Sequence, residues 1–245
     1  MSEWAAKRFW KEASVREDGD GFGVLLDARP LKTPAKNALV LPTKSMALQI
    51  AEEWQTTGEV IDPNTMPWTR SANSAIDKII PQRKEVEAHL IGYAQSDLTC
   101  YRADGPATLA RRQSEAWDPL LDWVSVTWNV AFNVTTGVMP VAQPDGIAAR
   151  LAQVMNEMSE FELTGFHDLV TLSGSYVIAL ATIAERDSRE ALWQASRVDE
   201  VFQIEQWGED EEAAEQATLR KLAFLHAADF FSNAKKTGIT NELRR

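Results

Sequence analysis

Val15–Pro42 reads VREDGDGFGVLLDARPLKTPAKNALVLP, and its turn residues decide the architecture of the N-terminal part. The Asp18-Gly19 and Asp20-Gly21 pairs are hairpin signals, because Asp and Gly accept the positive φ that a tight reversal requires. Phe22, Val24 and Leu26 then fall on one face at period two. Asp27 to Pro30 forms a second turn, and Leu39 and Leu41 alternate in a third short strand. The stretch predicts a small antiparallel sheet.

From Thr43 onward the hydrophobic period changes. Met46, Ile50 and Trp54 recur at helical spacing, with Thr43 as the N-cap and Gly58 as the C-terminal cap. Ala72, Ile76 and Ile79 share a face before Pro81. Asp118-Pro119 reads as a helix restart, with Asp118 at the N-cap and an inward stripe of Trp117, Leu121, Val124 and Trp128. Further helices are expected near 145–160, 167–185, 188–204 and 210–235. The turn-rich TGEVIDPNTMPW, residues 57–68, marks the joint. The predicted class is α+β: a small antiparallel β-rich domain with one helix over 1–62, followed by a larger α-helical domain over 63–245.

Composition excludes several functions. The 245 residues are 44% hydrophobic and 25% charged, as in ordinary globular chains. The net charge of −11 disfavours nucleic acid and anionic membrane surfaces. One cysteine and three histidines exclude an internal disulfide and leave too few ligands for a structural zinc site. The opening MSEWAAKRFWKEAS has no apolar core of a signal peptide, and Glu3 and Glu12 oppose a transit peptide, so a cytoplasmic protein is expected. The uncharged run Leu169–Ala184, interrupted by Ser173, Gly174 and Ser175, is too short to cross a bilayer and reads as a buried helix whose small residues allow close packing.

A search for catalytic groups yields little. GDGFG lacks the Lys-Ser/Thr ending of a phosphate loop, and LSGSY is not a nucleophile elbow. Cys100 with His89 or His167 is the one nucleophile arrangement available, giving a small cytoplasmic enzyme as the alternative function. A lone cysteine between apolar neighbours is more often a small buried hydrophobe. His89, His167 and His226 have no metal-binding spacing, so neither cofactor nor metal is expected.

The acidic stretch VFQIEQWGEDEE, residues 201–212, differs. Between Arg197 and Arg220 there is no Lys or Arg, while Asp199, Glu200, Glu205, Glu209, Asp210, Glu211, Glu212 and Glu215 accumulate negative charge. Glu209 to Glu212 on the first turn of the last helix would meet the positive end of its dipole. The same carboxylates beside Trp207 also suit a docking site for an Arg-bearing protein surface. Composition alone leaves both readings open.

Six motifs in order carry a resemblance: RFWKEASV at 8–15, LDARPLKTPAKNALVLPT at 26–43, IAEEW at 50–54, MPWTRSANSAID at 66–77, DLTCYRADGPATLARRQSEAWDPLLDW at 97–123 and FQIEQWGEDEEA at 202–213. Over nearly its full length the chain resembles the assembly chaperones that act on the alpha subunit of the F1 sector of ATP synthase. The resemblance implies a non-catalytic protein, monomeric when free and not inserted in a membrane. It would bind the free alpha subunit and prevent its aggregation until beta arrives. It implies partner contacts at Asp199, Glu200, Trp207, Gly208, Glu209 and Glu211, and a fold role for Trp54. Arg70, Asp77, Asp97, Arg102 and Asp118 match marked polar positions of the family, as a buried network, helix caps or a second patch. A permanent place in the assembled ATPase is the competing interpretation. The absence of a targeting segment implies a bacterial-type member.

Overall fold

A computed structural model describes residues 7–235. Residues 1–6, on which the reading of the N-terminus partly rests, lie outside the described residues. The chain divides into two compact units: one holds the chain up to Arg83 with Ser159–Gly165 and the described residues from Asp229 on, the other Lys84–Met158 and Phe166–Ala228.

The first unit begins with the expected sheet. Strands β1 (Ala13–Asp18) and β2 (Gly21–Leu26) pair antiparallel across a two-residue turn, with Gly19 at φ +60°. The other edge of β2 takes β3 (Arg29–Pro30) at one end and β4 (Val40–Leu41) at the other. Gly21 is required at the β4 contact: a Cβ there would lie 2.6 Å from the Leu41 carbonyl oxygen. Asp27, at φ +54°, closes the second turn by accepting from the backbone N–H groups of Lys11 and Glu12. The Glu12 bond first, then the Lys11 bond, holds its carboxyl below the ordinary value.

Val24, Leu26 and Leu41 share a buried core with Met46, Ala47 and Ile50 of α1 (Lys44–Thr56). Thr43 caps α1 by accepting from the Met46 N–H. Gly58 is not the C-terminal cap. The helix ends at Thr57, whose hydroxyl donates to the Glu53 carbonyl, and Arg8 donates to the Gln55 and Thr57 carbonyls. A distant guanidinium thus satisfies the carbonyls that a left-handed glycine turn would otherwise serve. Trp54 has the fold role expected of it: its ring lies 5.0 Å from that of Trp10, and its indole donates to Thr69.

Glu53 provides a cap from another helix. After a 3-10 turn at Pro63–Thr65, α2 (Pro67–Ser74) starts without a side-chain cap of its own, and Glu53 accepts from the N–H groups of Trp68 and Thr69 and from the Thr69 hydroxyl. Burial pushes the Glu53 carboxyl up against the pull of these bonds. A π-helical turn, Ala75–Ile79, then adds a residue to the repeat, so Ala75 is buried alongside Ala72 and Ile79 while Ile76 is only partly covered. Asp77 accepts from Thr33, the Ala35 N–H and Asn37, fixing the loop between β3 and β4.

The second unit is helical: α3 (Arg83–Gln95), α4 (Ala107–Trp128), α5 (Ile147–Asn156), α6 (Glu160–Ser173), α7 (Tyr176–Ile183), α8 (Arg189–Ala195), α9 (Val198–Trp207) and α10 (Glu211–Ala234). The opening residues of α6 and the last turns of α10 count with the first unit. A short parallel pair, β5 (Tyr101–Arg102) and β6 (Thr135–Thr136), flanks α4 in sequence. No helix among the described residues is long and apolar enough to cross a membrane.

Several helix expectations need correction. Asp118-Pro119 does not restart a helix: α4 runs through Pro119, and Asp118 accepts from Arg102 at 2.5 Å instead of capping. The inward stripe uses Leu120 in place of Leu121, with Gln113, Trp117, Val124 and Trp128. The predicted 167–185 helix is two, because Gly174 at φ +71° ends α6 and Ser175 caps α7 by accepting from the Ile178 N–H. Gly174 breaks the helix, and a Cβ on it would meet no atom within 4 Å, so it is not there for close packing. Likewise the predicted 188–204 helix divides into α8 and α9 at Ser196-Arg197.

All of α7 from Tyr176 to Ile183 is buried. Asp97, fully buried, ties its start to the chain before α4, accepting from the Thr99 N–H and hydroxyl, the Ser175 hydroxyl and the Val177 N–H. Burial pushes its carboxyl up, opposed by these four donors. The polar positions weighed from the resemblance therefore resolve, for Asp77, Asp97, Arg102 and Asp118, into internal hydrogen-bond networks. Arg102 completes its role by donating to the Thr99 carbonyl and lying over the Trp117 ring.

Candidate functional site

The acidic stretch folds as the end of α9, a corner at Gly208, and the start of α10. Phe202 is the buried residue of α9, and the positions around it turn outward. Val201 and Ile204, three residues apart, and Trp207 remain exposed, the indole of Trp207 by 80%. Gly208 has φ +90° and ψ 168°, a backbone conformation essentially restricted to glycine, and its N–H closes the helix onto the Ile204 carbonyl. The sharp exit turns Trp207 and Glu209 into solvent next to each other in the chain.

The eight carboxylates divide into two groups. Four are engaged within the fold. Asp199 accepts from the Gln113 amide at 2.6 Å, Glu200 pairs with Arg197 at 2.7 Å, Glu205 pairs with Arg112 at 2.7 Å, and Asp210 caps α10 by accepting from the Ala213 N–H at 2.8 Å. Arg112 lies over Phe202 and Arg197 over Trp193, so both cations are positioned by aromatic rings. Glu209, Glu211, Glu212 and Glu215 have no ion pair with any described residue, and all four are exposed. Glu211 and Glu212 occupy the first turn of α10, where the helix dipole favours them, yet their outward oxygens stay available.

Of the expected contact residues, the structure brings Trp207, Gly208, Glu209 and Glu211 together at the corner. Asp199 and Glu200 sit at the other end of α9, where they rim a cleft of about 410 Å³ with Leu98, Tyr101, Arg197 and Arg220. Sequence reasoning missed Val201 and Ile204 as surface residues. Their signal was present in the helical spacing, which sets the i−1 and i+2 neighbours of an inward Phe202 about 100° and 200° around the helix from it.

Cys100 offers no nucleophile. Its side chain is fully buried, and burial first, then the nearby Asp97 charge, pushes the thiol up to about 12. It remains a protonated thiol at neutral pH. The rings of His89 and His167 are 6.2 Å apart, and His167 contacts Asp168 at 3.0 Å. No group of three or more His, Cys, Asp or Glu side chains among the described residues is arranged to hold a metal.

The family model described as ATP12 chaperone protein matches residues 7–125. The solved structure of Atp12 from Paracoccus denitrificans is 47% identical, covering 95% of this chain and 100% of that one, with a TM-score of 0.90. An aspartate-to-lysine variant of the P. denitrificans protein is similar at 46% identity, 96% and 100% coverage and TM-score 0.91. Atu1473 from Agrobacterium tumefaciens is 36% identical over 94% of this chain and 86% of that one, with a TM-score of 0.89. Protein atp12, mitochondrial, of Schizosaccharomyces pombe is 22% identical over 221 residues, which is 85% of this chain and 76% of that protein.

Proposed function

Because the chain belongs to the ATP12 chaperone family, which acts in assembly of the F1 sector of ATP synthase, we propose that its client is the free F1 alpha subunit. In this reading the protein covers an alpha-subunit surface destined for burial, prevents aggregation, and leaves when the beta subunit takes its place. Assembly intermediates expose such apolar surface, and covering it requires binding without turnover. The solved relatives are bacterial, which supports action in the cytoplasm.

The observation that carries the site assignment is the division of the acidic stretch into used and unused carboxylates. Glu209 and Glu211 follow an exposed tryptophan in the chain and have no ion pair with any described residue. An Arg- or Lys-bearing surface can pair with them while the aromatic ring and the exposed Val201 and Ile204 are covered. Asp199 and Glu200 hold α9 in place and present their remaining acceptor capacity at the cleft rim. Charge of this kind raises association rate and selects partner sign more than it adds affinity.

Co-purification with separately expressed F1 alpha and beta subunits, at low and moderate salt, tests the reading. Retention of alpha alone, weakened as salt shortens the Debye length, is the expected result. Retention of neither subunit, together with no suppression of alpha-subunit aggregation, removes the alpha-subunit assignment.

A further inference from the structure

A second exposed feature lies outside the acidic corner. From Trp123 to Pro144 the chain carries no Asp, Glu, Lys or Arg, although the whole protein has a net charge of −11. After α4 ends at Asn129 in a left-handed cap, this run forms a loop on a hydrogen-bonded frame. Asn133 and Gln143 close its base: the Asn133 N–H donates to the Gln143 side-chain oxygen, the Asn133 amide to the Ala142 carbonyl, and the Gln143 amide to the Asn133 carbonyl. On one side β6 pairs with β5, and the Gly137 N–H donates to the Arg102 carbonyl at 2.8 Å. The chain then turns at Gly137, φ +83°, and displays Val138 and Met139 at 92% and 73% exposure.

A frame built from paired side chains and backbone bonds exposes, at its tip, two apolar residues that the fold itself does not use. The frame is also joined to the acidic helix. The Ala103 N–H, next to Arg102, donates to Gln113, and the Gln113 amide donates to Asp199 of α9. Three hydrogen bonds, the first from the Gly137 N–H beside the tip to the Arg102 carbonyl, therefore connect the loop to the proposed partner-binding helix within one unit.

We propose that the Val138–Met139 tip is a second contact with the same client, entering an apolar pocket on the free alpha subunit. This rests on the reading of that subunit as the client. Charge argues for that occupant over the others: a second copy would bring together two chains of −11, and an anionic bilayer would meet the same repulsion. A client whose positive groups engage Glu209 and Glu211 offsets that field, leaving a neutral tip free to bury. The tip supplies apolar area and the corner supplies charge, so the two contributions differ in salt dependence.

The test measures binding of the F1 alpha subunit to wild type and to the Val138→Ser/Met139→Ser double variant at two salt concentrations. A Met139→Leu variant serves as the conservative control, and thermal unfolding checks each fold. Loss on the order of tenfold in affinity, equal at both salts and absent from the Leu variant, is expected. Unchanged affinity of the double variant while wild type binds alpha overturns the tip contact and leaves the client reading intact. Failure of wild type to bind alpha overturns both. Sedimentation showing a wild-type dimer, or co-sedimentation with phosphatidylcholine vesicles, either being lost in the double variant, reassigns the tip to a second copy or to lipid.

Discussion

Asp97 and Glu211 belong to the same compact unit and stand in opposite surroundings. Asp97 is fully buried and receives four hydrogen bonds from the chain before α4 and from the start of α7. Glu211 is exposed and has no ion pair among the described residues. The difference teaches which carboxylates the fold depends on. Among the described residues no buried side-chain polar atom lacks a partner, so polar groups left without one are confined to the surface. Charge that the fold leaves unpaired, concentrated beside an exposed tryptophan and a glycine-only turn, is charge available to a partner.

Substituting Asp97 tests the folding side of that contrast and carries the largest expected effect. Asp97→Ala leaves the Thr99 N–H, the Thr99 and Ser175 hydroxyls and the Val177 N–H without their acceptor in a region closed to water. The expected cost is about 3 kcal/mol or more, read as a lower denaturant midpoint. A loss below about 1 kcal/mol would mean that water or a rearranged Ser175 replaces the carboxylate, and the knot would not be a determinant of the fold.

The binding side predicts the opposite pattern. Glu209→Lys/Glu211→Lys should cost only about 1 kcal/mol of stability, from reversing a charge in the first turn of α10, since neither side chain has an ion pair to lose. Alpha-subunit affinity at low salt should fall roughly a hundredfold, because two favourable charges become two unfavourable ones. The aspartate-to-lysine variant of the P. denitrificans relative keeps the same fold, a precedent for charge reversal without unfolding. Unchanged affinity would transfer the site away from the corner. A large loss of stability would show that the free carboxylates support α10.

What the sequence made legible follows the range of each interaction. The Asp-Gly hairpin, the alternation of Val24 and Leu26, and the Thr43 cap are decided within a few residues, and the structure has them as read. The end of α1 was misassigned to Gly58 because its carbonyls are satisfied by Arg8, over forty residues away in the chain. Pro119 reads as a helix start because the local rule is strong. The Asp118 pair with Arg102 and the donation of Arg186 to the Pro119 carbonyl are nonlocal contacts that the rule does not include. The acidic stretch was legible as a cluster but not as two sets. Only the folded chain brings Gln113 and Arg112 to Asp199 and Glu205, whereas Arg197 and Glu200 are three residues apart and pair locally.

Asp77 sharpens the contrast from an intermediate case, half-buried and fully partnered, and has the smallest expected effect. Desolvation raises its carboxyl, but the bonds from Asn37, Thr33 and the Ala35 N–H outweigh it, so the folded value lies below the ordinary one of 3.8. The unfolded chain therefore binds this proton first as pH falls. The stability contributed by Asp77 should be complete well above pH 3.8 and should be lost as pH falls through the folded value. Asp77→Asn removes the titration, so wild type and variant should differ by a constant amount at neutral pH and converge in acid, read from denaturant midpoints across the range. A difference that stays constant into acid would assign the role of Asp77 to its shape alone. Charge would then have no part in fixing the loop between β3 and β4, and partnering at the surface would not distinguish folding carboxylates from binding ones.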